Sequence, residues 1–138
     1  DNMEGAYMVR RGRYCYLFTS RGSCCEGARS TYHVLGPRSR KPLGPFVGRD
    51  GVSLLDKQCQ SVILTGSNDQ MYVGTGHNSQ LIKDDEGNDW LFYHTYWNGN
   101  DYSGRCMNMD AIVWSEAGWP AIMGGQPSTS HTAPVIRP

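Results

Sequence analysis

Apolar and polar residues alternate with period two along several short stretches of the chain, and no long stretch shows the 3.6-residue period of an amphipathic helix. Residues 6–11 (AYMVRR) open the series and turn at Arg11-Gly12. Residues 13–20 (RYCYLFTS) follow, with Tyr14, Tyr16 and Phe18 on one face. After a Gly/Ser/Cys loop from Arg21 to Arg29 come residues 30–35 (STYHVL). A Pro/Gly turn region (SRKPLGPF) and the loop RDGVSLLDKQCQ lead to residues 61–66 (SVILTG). The second half repeats the plan. A strand over residues 76–84 (GHNSQLIKD) precedes the turn DDEGND, the aromatic strand 90–96 (WLFYHTY), the loop WNGNDYSG, strand 105–114 and the tight turn SEAGWP. The pattern predicts an all-β chain of two meanders, with one unit at 1–66, a second at 67–123 and a surface tail at 124–138. Glu4 and His77 stand just ahead of the first strand in each unit, 73 residues apart.

Composition sharpens this picture. Leu, Ile, Val and Phe make up only 24 of 138 residues, and Tyr 8 and Trp 4 fill part of the gap. With Gly 17 and Pro 7, that is the profile of short aromatic strands joined by tight turns. Lys+Arg 13 balances Asp+Glu 13, so no basic stripe is expected for a nucleic acid, and no apolar run suits a membrane span. Radial β folds close with about four to eight blades. Two units alone would leave large apolar faces wet, which predicts that this chain is about half of a larger body. A partner chain, a second copy or sequence ahead of Asp1 would supply the rest.

Five cysteines, with no CxxC pair and no zinc-finger spacing, argue against a structural zinc site. Cys15 and Cys106 lie in strand-like sequence and read as packed thiols. Cys24 and Cys25 are adjacent. Because a bond between neighbours closes a strained ring, they too are expected as thiols.

Residues 3–34, then 38–46 (RSRKPLGPF), 74–96 (GTGHNSQLIKDDEGNDWLFYHTY) and 110–120 (DAIVWSEAGWP) occur in an order that resembles the C-terminal part of glycoside hydrolase family 43. The resemblance is greatest to endo-1,5-α-L-arabinanases. It implies that the chain forms two blades, about the C-terminal half, of a five-bladed β-propeller. It also implies part of an inverting hydrolase of α-1,5-linked L-arabinan or a related arabinose-containing polysaccharide, secreted or periplasmic, acting on a plant cell-wall polysaccharide. The expected catalytic set is a base, a pKa-tuning Asp and a general acid. Of these, only the acid falls here, at Glu4 in the EGAY segment. The other two belong upstream, in a missing N-terminal propeller half. The alternative is a propeller fragment that binds carbohydrate without cutting it; an unrelated small β domain is the third reading, against the ordered motifs.

Further site expectations come from the same resemblance. His77, in GTGHNS, is expected to face the central channel and hold Ca2+ or another cation largely through water, with Asn78 and Ser79 orienting it. Arg105 is expected to reach sugar, and the loop carrying Cys24 and Cys25 to border the cleft. Trp97 and Tyr102, in an Asn/Gly-rich loop, are candidate sugar platforms, whereas Tyr7, Trp90, Tyr93, Trp114 and Trp119 read as sheet core and His94 as a packed residue. The chain departs from the family pattern at Thr75, where Pro is commoner, and at LGPRS, where Pro37 interrupts an expected strand and fits only an edge or a bulge.

Overall fold

The computed structural model describes residues 2–67, 69–97 and 104–138. Among the described residues, ten strands form two sheets. The first takes β1 (Met3–Arg11), β2 (Tyr14–Arg21), β3 (His33–Leu35) and β5 (Val62–Leu64) in that order, with β4 (Arg38–Ser39) also pairing β2. In the second, β6 (Tyr72–Gly76), β8 (Asp89–Trp97), β9 (Arg105–Trp114) and β10 (Pro120–Ile122) follow in turn, with β7 (Ile82–Lys83) pairing β8. Every pairing is antiparallel. Among the described residues no helix is long and apolar enough to cross a membrane.

The core lies between the sheets. Tyr16, Phe18, Val34, Ile63 and Leu64 of the first meet Leu91, Tyr93, Ile112 and Ile122 of the second. Tyr16 and Phe18, like Leu91 and Tyr93, are alternate residues on one strand, so the period-two pattern is what turns them inward. Each fully buried side chain of this kind contributes about 1.5–3 kcal/mol. The Tyr16 hydroxyl also crosses to the second sheet, donating to the Gly118 carbonyl at 2.5 Å. By contrast β1 is an edge strand with no residue fully buried, and Met3 and Met8 on it are exposed.

Three details differ from the pattern-based reading. The first strand of the second sheet is β6 at Tyr72–Gly76; residues 76–84 contribute only the two-residue β7. The backbone turns at His77, where φ is +49°, so the expected long strand cannot run through it. β10 follows the SEAGWP turn and closes the meander. Pro37 does not break the first sheet, because the chain leaves β3 at Leu35 and rejoins β2 as β4 at Arg38. Between them Pro37 needs no donor, and its carbonyl accepts from Leu17 N at 3.0 Å.

Residues 124–138 run over the second sheet, anchored by Asp110, by the Met109 carbonyl and by the Asp84 turn. Asp84 is buried. Its carboxylate accepts from Glu86 N (3.0 Å), Asn88 N (2.9 Å), Asn88 Nδ2 (3.1 Å), Trp90 Nε1 (3.0 Å) and Val135 N (3.4 Å). Burial pushes its pKa up, but the donors from Trp90, Asn88 and Val135 outweigh burial and hold it well below the ordinary 3.8. A carboxylate depressed on folding stabilises the fold above its unfolded pKa, and that contribution is lost as pH falls toward the folded value. The Tm deficit of Asp84→Asn is therefore expected to be several degrees at pH 7 and to shrink below about pH 4, where the unfolded chain takes up the proton. Thermal melts across that range check it; a pH-independent deficit would contradict it.

Candidate active site

The same irregularity occurs in the first strand of each sheet. In β1, Glu4 pairs with Ser20 and Tyr7 with Phe18, so Gly5 and Ala6 together oppose Thr19. In β6, Val73 pairs with Tyr96 and Gly76 with His94, so Gly74 and Thr75 oppose Thr95. The bulge residues Gly5 and Gly74 have φ of +61° and +63°, a conformation glycine adopts without steric cost. The structural repeat thus aligns Gly5 with Gly74. Glu4 and His77 are not equivalent positions, contrary to the sequence reading: Glu4 precedes one bulge and His77 follows the other.

The bulge nevertheless brings Gly5, next to Glu4, against His77. A Cβ on Gly5 would lie 3.2 Å from the Cα and ring of His77. Adjacent residues of β2 hold both sides of this contact. Thr19 Oγ1 donates to the Glu4 carbonyl at 3.0 Å, and His77 N donates to Ser20 Oγ at 2.7 Å. That second bond fixes His77 in its left-handed backbone conformation, of a kind that clusters at functional sites. Both side chains are exposed.

Tyr32 and His94 form the wall behind them. The rings stack at 5.7 Å with 21° between planes, and His94 lies 6.4 Å from the His77 ring. Gly76 makes this possible, since a Cβ there would fall 2.3 Å from the Tyr32 ring. Burial raises the Tyr32 phenol; Ser20 opposes that and Glu4 adds to it. Burial lowers His94, helped by the charges of Arg105 and His77 and opposed by Glu4. Tyr32 Oη, His94 Nδ1 and Asn78 Oδ1 are buried, and none makes a direct hydrogen bond of good geometry among the described residues. A cavity of about 430 Å³ opens along His77, Asn78, His94, Arg105 and Met107.

Arg105 closes the site from β9. Its guanidinium packs over the Tyr96 ring at 5.2 Å and donates to the Cys24 carbonyl (3.2 Å) and Cys25 Sγ (2.9 Å). Cys24 and Cys25 form a vicinal disulfide, which corrects the expectation of two thiols; Cys15, Cys59 and Cys106 remain free. Because Arg105 reaches across from the other sheet, it fixes the disulfide loop against the cavity. Glu4, Cys24, Cys25, His77 and Arg105 are thus gathered at one end of the two sheets. Trp97 is exposed at the end of β8, and Tyr102 lies outside the described residues. Trp90 and Tyr93 are buried and Tyr7, Trp114 and Trp119 half-buried.

Among the described residues no three His, Cys, Asp or Glu side chains converge on a possible metal position. His77 and the orphaned Asn78 oxygen are too few for a hard cation that takes about six to eight oxygens. Among the described residues, a cation beside His77 would therefore be held mainly by water.

The sequence profile of glycosyl hydrolases family 43 matches residues 2–120. This chain belongs to family 43. It is 32% identical over 120 residues to the extracellular exo-α-(1→5)-L-arabinofuranosidase ArbA of Cellvibrio japonicus, covering 87% of the chain and 33% of that protein. Arabinan endo-1,5-α-L-arabinosidase A of Aspergillus niger is also 32% identical, over 86% of the chain and 38% of its own length. Among solved structures, an α-L-arabinanase of Cellvibrio cellulosa complexed with arabinohexaose superposes with a TM-score of 0.76 at 32% identity, over 87% of the chain and 36% of that structure. The family 43 chain spans about a third of the length of the curated relatives it matches. Its two sheets are two blades of the family's β-propeller, and 36% of a neighbour's length is near the share two blades of five would occupy.

Proposed function

We propose that this chain is the acid-bearing C-terminal part of a secreted, inverting hydrolase of α-1,5-linked L-arabinan. The observation that carries the proposal is the convergence of Glu4, His77, Arg105 and the Cys24–Cys25 loop around buried polar atoms. Secretion follows the relatives named as extracellular.

In this reading the carboxyl of Glu4 donates its proton to the glycosidic oxygen as the bond to the anomeric carbon breaks. A base outside this chain takes a proton from water, whose oxygen bonds to that carbon from the opposite face. The two carboxyl groups would stand about 6.5–9.5 Å apart. Neutral arabinofuranose offers only hydroxyls and C–H faces. Arg105 and the exposed His77, both lining the cavity, would meet the hydroxyls, and the disulfide the apolar face. A cation beside His77 enters the proposal only as a water-held ion, with no step assigned to it; an anomalous-scattering map without an ion there, with full activity after chelation, would remove it.

The test is incubation of the full-length protein with linear 1,5-arabinan, with product configuration followed by proton NMR from the first turnover. Release of arabinose or arabino-oligosaccharides as the inverted anomer is expected. Retained configuration would refute the mechanism, and saturable binding without release would favour the carbohydrate-binding alternative.

A further inference from the structure

The β1–β2 hairpin runs the length of the first sheet, from the Glu4–Ser20 pair at the active-site end to the Arg11–Tyr14 pair at the other, roughly 20–25 Å away. At that far end a hollow of about 500 Å³ is lined by Tyr14, Arg38, Arg40, Lys41, Arg49 and Trp119 among smaller residues. Arg38 is structural. Its guanidinium lies between the Tyr14 and Trp119 rings, 3.9 Å from each centroid, and donates to the carbonyls of Ala117 (2.7 Å) and Gly118 (3.2 Å). Of the remaining cations, Arg40 rests beside Tyr14, 5.9 Å from its ring centroid, while Lys41 and Arg49 enter no ion pair among the described residues.

Arg40, Lys41 and Arg49 are exposed, and the ion pairs among the described residues, Lys83–Asp89 and Arg137–Glu86, use none of them. No Asp or Glu lines the hollow. The carboxylate next in sequence, Asp50, is tied to its own loop by Val52 N and Gln60 N, each at 3.1 Å. The Tyr14 phenol is held below its ordinary value by Arg40 beside it and, against desolvation, by Arg38 and Arg13. In a chain with no net charge, this end is a concentrated positive field.

We propose that this hollow binds the carboxylates of an acidic, uronate-containing polysaccharide. Guanidinium groups bind carboxylates through paired charge-assisted hydrogen bonds, and the edges of Tyr14 and Trp119 supply apolar surface for sugar C–H groups. Several exposed cations around one open hollow suit an extended polyanion better than a single small ion. The choice of a polysaccharide rests on the arabinan reading. The site would hold the enzyme on a charged polymer while neutral arabinose chains enter at the opposite end.

The experiment is affinity electrophoresis of the full-length protein in gels containing polygalacturonate, fully methyl-esterified pectin, linear arabinan or single-stranded DNA. The protein is run beside a triple variant, Arg40→Ala, Lys41→Ala and Arg49→Ala. Polygalacturonate is expected to retard the wild type, with affinity at least about tenfold weaker in the triple variant and lost as salt is raised. The triple variant's kcat on a short neutral arabino-oligosaccharide is expected to be unchanged. No retardation by polygalacturonate, equal retardation by the esterified polymer, equal retardation of the triple variant, or stronger retardation by DNA would each overturn the proposal. If arabinan hydrolysis fails while the charge-dependent binding persists, the arabinan reading falls and this site stands.

Discussion

Replacing Glu4 by Gln in the full-length protein is expected to lower kcat on linear arabinan by about 10²–10⁴-fold, the usual contribution of a general acid. The fold should be untouched. Glu4 is exposed, and the bond that fixes it in β1 goes from Thr19 to its backbone carbonyl, which the substitution keeps. The deciding measurement is a second substrate, an aryl arabinofuranoside whose leaving phenol is acidic. Such a group departs without being protonated, so the loss there should be far smaller than on arabinan. Equal losses on both substrates would mean that Glu4 orients substrate and does not donate a proton; no loss on either would remove it from the mechanism.

The role expected of Glu4 comes from the family resemblance alone, whereas the strands around it are legible from pattern. Tyr14, Tyr16 and Phe18 alternate, as do Leu91 and Tyr93, and alternation is the physical signature of a strand with one face in a core. The repeat register was less legible. Glu4 and His77 look equivalent in a linear alignment of the two halves, yet the bulges pair Gly5 with Gly74. A bulge adds a residue to one strand without a compositional mark beyond a glycine, so spacing alone misplaces it. β6 and β10 were missed because each is short and follows directly on turn-rich sequence.

His94 reads from the sequence as an ordinary packed residue, since a histidine within a strand usually is, and Tyr32 carries no signal of its own there. What sets them apart is a contact between sheets. The ring of Tyr32 fills the place where Gly76 lacks a side chain, and the glycines of GTGH were the available signal. The Arg105 bonds to Cys24 and Cys25 join residues 81 and 80 positions apart, a proximity that only the packing of the two blades creates. The disulfide was set aside on ring strain, an argument about isolated dipeptides; its place in a loop held from the opposite sheet lies beyond that argument.

The other large effect is expected at Phe18, which is fully buried between the sheets. Phe18→Ala should cost about 3–5 kcal/mol, combining lost transfer free energy with the cavity left behind. Urea unfolding should show a lower midpoint with little change in slope, whereas Leu43→Ala, at a residue 97% exposed, should stay within about 0.5 kcal/mol of wild type. The consequence for the site follows from chain order. Thr19 and Ser20, the next residues on β2, clasp Glu4 on one side and His77 on the other. A cavity at Phe18 therefore loosens the strand that positions both, and turnover should fall in Phe18→Ala at temperatures where the variant is still folded. Full activity up to the unfolding transition would show that the active-site end is held independently of the core. A loss of unfolding free energy below about 1 kcal/mol would show that the two blades are not joined through this ring.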